Sequence, residues 1–96
     1  MDILNPTFAR RLLIIHLIDN MERPSVPALM QETGWPRRTI QDVIKAISGL
    51  GVKIYFKQDG RRNNDGYYVI DSWGAINHNW IVDNIDWIRA DLIQKP

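Results

Sequence analysis

Residues Val26 to Gly51, VPALMQETGWPRRTIQDVIKAISGLG, decide how the rest of the chain is read. Ser25 is a good helix cap, and Pro27 falls in the first turn, where a missing amide hydrogen costs little. A helix therefore runs to about Thr33, and Gly34 ends it with a turn that needs a positive φ. Pro36 restarts a helix in which Ile40, Val43, Ile44 and Ile47 follow helical spacing. Arg37, Arg38, Gln41, Asp42 and Lys45 lie on its opposite side. Gly49-Leu50-Gly51 closes it.

Downstream, Val52, Ile54 and Phe56 alternate with Lys53, Tyr55 and Lys57, the period of a half-buried strand. Asp59 to Gly66 is polar and bounded by glycine, so it reads as the loop of a hairpin. The return strand is Tyr67 to Ile70. All four of its residues are apolar or aromatic, so the inward register is ambiguous; Tyr67 and Val69 are expected inward. After a break at Trp73-Gly74, a last helix starts near Asn77 or Asn79 and runs to about Ile93, with Ile81, Ile85, Ile88 and Leu92 as one stripe.

Upstream, Asn5-Pro6 is a helix start and Asp19-Asn20 a break. Between them Phe8, Leu12, Leu13, Ile14, Ile15, Leu17 and Ile18 cover nearly the whole circumference of the last two turns. Such a helix must be covered on more than one side.

Composition sets outer limits. At 96 residues, 45% apolar and 24% charged, the chain is expected to fold throughout as one domain, residues 1–96, with one modest core. There is no room for separate cofactor and substrate domains. The absence of cysteine rules out disulfides and thiolate metal sites and fits a reducing compartment. The apolar run from Leu12 to Ile18 is far shorter than the ~20 residues of a membrane span. It lacks a cleavage site and follows two arginines, so neither a membrane anchor nor a leader peptide is expected and the cytoplasm is the default.

Net charge is only +1, but it is unevenly spread. From Trp35 to Arg62, seven basic residues (Arg37, Arg38, Lys45, Lys53, Lys57, Arg61, Arg62) face two acidic ones (Asp42, Asp59), which leaves +5 there and −4 elsewhere. A basic stripe balanced by an acidic remainder is the asymmetry of a protein that meets polyanion on one side. The plainer alternative is that solvated helices and hairpins commonly carry lysines and arginines.

The run Gly34-Trp35-Pro36-Arg37-Arg38-Thr39-Ile40 resembles the second half of helix-turn-helix motifs in bacterial regulators. The order helix, helix, turn, helix, strand, wing, strand, helix, over about residues 7 to 93, resembles the winged helix-turn-helix family of bacterial transcriptional regulators. The fold class this implies is α+β, mainly α. It has a three-helix core with the motif at about 25–50, a two-stranded β-hairpin wing at about 52–70, and a C-terminal helix at about 78–93.

The resemblance further implies a partner, double-stranded DNA, and a repressor-type regulator. Arg37, Arg38, Thr39, Gln41, Asp42 and Lys45 would face the major groove. Arginine meets guanine O6 and N7 together, and glutamine pairs similarly with adenine. Lys45, later on the helix, suits phosphate. Asp42 either accepts from cytosine or braces an arginine, and bracing is the expected role. At the wing, Arg61 and Arg62 would enter a minor groove or contact backbone. Asn63 and Asn64 suit phosphate or base edges, but asparagine also tolerates left-handed turn geometry, which is the preferred reading.

Other candidates are weaker. His16 and His78 are remote in sequence, and with no cysteine they are poor evidence for metal. Asp83, Asp86 and Asp91 fit a solvated helix face. No phosphate loop, ligand cluster or nucleophile-base arrangement is recognisable, so neither catalysis nor a cofactor is expected. Trp35 should anchor the turn. Trp80 and Trp87, seven apart beside an isoleucine stripe that already supplies a core face, are expected with Leu13 and Leu17 of the first helix to form a homodimer interface. The alternative is a winged-helix module for protein association that works through the tryptophan-bearing last helix.

Overall fold

The computed structural model describes residues 4–93. Four helices and one hairpin follow in the order α1 (Pro6–Asn20), α2 (Val26–Thr33), α3 (Arg37–Ile47), β1 (Lys53–Gln58), β2 (Gly66–Ser72) and α4 (His78–Ile93). The starts of α1, α2 and α4 are capped by side chains. The Asn5 side chain accepts from the amides of Thr7 and Phe8 at 2.9 and 3.2 Å, Ser25 Oγ accepts from Ala28 N at 3.3 Å, and Asn77 Oδ1 accepts from Trp80 N at 3.0 Å. These bonds satisfy amides that the helix itself leaves without partners.

Helix α1 is the centre of the core. Leu12, Leu13, Ile14, Ile15, Leu17 and Ile18 are all buried, because α3, α4 and β2 pack around it. Burying one such side chain is worth about 1.5–3 kcal/mol, so this helix is the largest apolar contribution to the fold. Its all-round hydrophobicity leaves no surplus for a partner. Leu13, with no exposed surface, and Leu17 belong to the interior of the subunit, which corrects their expected place in a dimer interface.

The helices α2 and α3 are joined by a tight corner. Gly34 sits at φ 76°, and its amide closes α2 on Met30 O. Buried Thr33 donates to Leu29 O at 2.7 Å and accepts from Trp35 N at 3.1 Å, so the corner's polar groups are paired. Trp35 packs against the core beneath α3 as expected.

The hairpin is antiparallel, with Ile54 opposite Ile70 and Phe56 opposite Tyr68. Directly opposed residues share a face. Phe56 and Tyr68 meet edge to face with centroids 5.1 Å apart, and Ile54, Tyr68 and Ile70 pack on the core. The inward register is thus Tyr68 and Ile70, one residue away from the expected Tyr67 and Val69. One contact outside the hairpin reinforces it: Tyr68 N donates to Pro24 O at 2.7 Å, tying β2 to the α1–α2 loop.

Candidate nucleic-acid interface

Buried Ile40, Val43 and Ile47 turn one side of α3 to the core. Helical geometry then points Arg38, Gln41, Asp42 and Lys45 outward, and all four are exposed, as is Arg37. Arg38 and Asp42 are one turn apart, with Nε and Oδ2 4.0 Å from each other and side chains 92% and 73% exposed. Arg38 is thus the arginine that stands nearest the expected bracing role of Asp42, without a hydrogen bond between them. At such exposure it is a loose pair worth at most ~0.5 kcal/mol, so Arg38 gives it up readily for a stronger acceptor.

The wing flanks one side of this face. Arg37 and Gln41, one turn apart on α3, line a cleft of about 320 Å³ with Asn63 and Asn64 of the wing, floored by Phe56 and Tyr68 and closed by the start of α2. The hairpin tip is ordered by its own hydrogen bonds. Asp59 N donates to Asp65 O at 2.9 Å and Asp65 N to Arg62 O at 3.1 Å, while Arg62 N donates to Asp65 Oδ2 at 3.2 Å. The Arg62-to-Asp65 bond is that of a β-turn, which leaves the Arg61 and Arg62 side chains exposed at its start.

Two expectations for individual residues change. Asn63 and Asn64 do occupy the centre of the turn, but among the described residues no non-glycine φ is positive, so left-handed tolerance is not what asparagine supplies there. Their side chains line the cleft instead. Thr39 is half-buried and faces away from the wing, beside Arg10 and Trp35. It lies on the α1 flank of α3 and not with Gln41.

Three arginines escaped the sequence reading. Arg23, from the α1–α2 loop, forms a two-pronged ion pair with Asp59 at the base of the wing, with Nη2 donating to Oδ1 at 3.0 Å. It also lies over the Tyr67 ring, 5.0 Å from its centroid. The Arg23 guanidinium holds the Asp59 carboxyl below the usual carboxylate range, and its own pKa is raised in return. Arg10 and Arg11 line a groove between α1 and α3 with Thr39 and Asp42. The Arg10-Arg11 doublet was visible as sequence, but only the packing of α1 on α3 places it beside the basic helix.

Among the described residues, no group of three histidine, cysteine, aspartate or glutamate side chains is arranged to hold a metal ion. Among the same described residues, no helix is long and apolar enough to cross a membrane.

A three-helix core with a glycine corner, a cationic third helix and a hairpin folded back beside it defines a winged helix-turn-helix domain. A family model described as a winged helix-turn helix matches residues 4–92, and the chain belongs to that family. Its structure is similar to the crystal structure of a DUF2131 family protein from Shewanella amazonensis SB2B, with a TM-score of 0.85 and 38% identity over 93% of this chain and 92% of that one. No curated protein matches the chain. Domains of this family are typically DNA-binding modules without enzymatic activity.

Proposed function

We propose that this protein is a sequence-specific double-stranded DNA-binding regulator, with α3 in the major groove and the wing on the adjoining minor groove or backbone. The observation that carries the reading is the shared cleft of Arg37 and Gln41 with Asn63 and Asn64. Because α3 and the wing share that surface, with Arg38, Lys45, Arg61 and Arg62 exposed around it, it supports base readout by the helix and backbone contact by the wing. Arg37, Arg38 and Gln41 carry base recognition, and Lys45, Arg61 and Arg62 meet phosphate or a minor groove. Asp42 braces Arg38. Repression by occupying a promoter is the simplest mode of action, and the cytoplasm of a bacterium is its natural setting.

Operators with two-fold symmetry favour dimeric readers. Self-association is assigned to α4, where Trp80, 38% exposed, meets Trp87 edge to face at 6.4 Å. Exposed Trp80, beside a Trp87 that is half-buried against the core, also supports the second reading, in which the domain docks another protein through α4.

Selection of genomic fragments with the purified protein, followed by footprinting, tests the leading reading. Enrichment of a recurrent short motif protected by the protein is the expected result. Recovery of fragments with no common sequence and no footprint would falsify it.

A further inference from the structure

An α-helix about 10–12 Å across fills a major groove about 12 Å wide, so a phosphate-bearing strand lies on either side of it. The wing covers only one of these sides. On the opposite flank of α3, past Thr39 and Asp42, stands the first half of α1, with exposed Arg10 and half-buried Arg11 lining the groove between the two helices. Among the described residues, neither arginine is paired with a carboxylate. This contrasts with Arg23 and Arg89, which are held by Asp59 and Glu32. Asp42, which shares the groove, is already turned toward Arg38.

We infer that Arg10 and Arg11 form a second backbone clamp, gripping the phosphates on the side of the recognition helix away from the wing. The inference rests on the DNA-binding reading and adds to it a third contact element, α1, which the helix-turn-helix and wing do not include. The clamp is electrostatic. Each arginine that meets a phosphate releases condensed counterion, so it steepens the salt dependence of binding without adding sequence preference.

The test measures affinity for a mixed-sequence DNA duplex across a range of salt concentrations, for the wild type, the double variant Arg10→Gln with Arg11→Gln, and Arg89→Gln as a charge control on α4. The slope of log affinity against log salt should become shallower by about 0.9 for each arginine in contact, hence by about 1.8 for the double variant. Arg89→Gln should leave the slope as it is, and Arg10→Lys should retain it, because a point charge suffices for phosphate. Should the double variant fold poorly, judged by its circular dichroism, Arg10→Gln alone carries the test, since Arg10 is exposed and its slope change should be about 0.9. Salt-dependent binding by the wild type with a slope that the α1 substitutions leave unchanged overturns the clamp and spares the DNA-binding reading. A wild type that binds no duplex at all overturns both.

Discussion

Asp59 counts against the basic stripe when charges are summed along the chain, yet in the fold it is matched by Arg23 from 36 positions earlier. Its carboxylate is neutralised within the protein, so the wing presents Arg61 and Arg62 with less opposition than their neighbourhood implies. No local pattern announces a pair of that separation, and for the same reason Arg23 was not legible as part of the site. The residues of α3 were legible because helical spacing fixes which side is buried.

His16 carries a prediction at this scale. Burial lowers its pKa below the ordinary 6.5, partly offset by Asp19, with Arg89 and His78 adding to the fall. The amide of Asn20 donates to His16 O at 2.9 Å and to ring Nδ1 at 3.3 Å, which requires Nδ1 to be unprotonated. Since the folded pKa lies below the unfolded one, protons bind the unfolded chain first. Stability is therefore intact above pH 6.5 and is lost as pH falls from there through the folded value. Urea midpoints measured against pH should fall below this point more steeply for wild type than for His16→Gln; parallel profiles would show that His16 does not couple to folding.

Among the elements, the two helices of the motif and α1 were readable from periodicity and caps, whereas the hairpin's facing was not. All four residues from Tyr67 to Ile70 are apolar or aromatic, so alternation cannot choose a register. The choice is made by the Phe56–Tyr68 ring contact and the bond from Tyr68 N to Pro24 O, both of which are tertiary. Turns show the same division. Gly34 has φ 76° with open space where a Cβ would stand, but a Cβ on Gly74, at φ 56°, would lie 2.1 Å from Gly51 O. Gly34→Ala should therefore cost only the left-handed penalty of about 1–2 kcal/mol. Gly74→Ala must in addition force two backbone segments apart and should cost about 3 kcal/mol or more. Denaturant unfolding of both variants checks this, and equal losses would contradict the assigned close approach of residues 51 and 74.

At the level of the whole molecule, the sequence revealed that α1 must be covered on several sides but not what covers it. The fold uses that surface entirely within the subunit, and Leu13 and Leu17 go with it. Of the four residues expected at a dimer interface, Trp80 and its neighbour Trp87 remain to support self-association. Sedimentation at micromolar concentration should show a dimer for wild type and a shift toward monomer for Trp80→Ser. A wild type that stays monomeric would remove the dimer from the account and leave the DNA-facing surface untouched.

That surface is the central claim, and a comparison of binding profiles over a panel of selected and unselected duplexes tests it most directly. Arg37→Ala with Arg38→Ala should flatten the preference among sequences, because the groove-facing donors are gone. Arg61→Ala with Arg62→Ala should weaken every duplex by a similar factor and keep their rank order. Profiles from both variants that coincide with the wild type would mean that neither α3 nor the wing touches DNA.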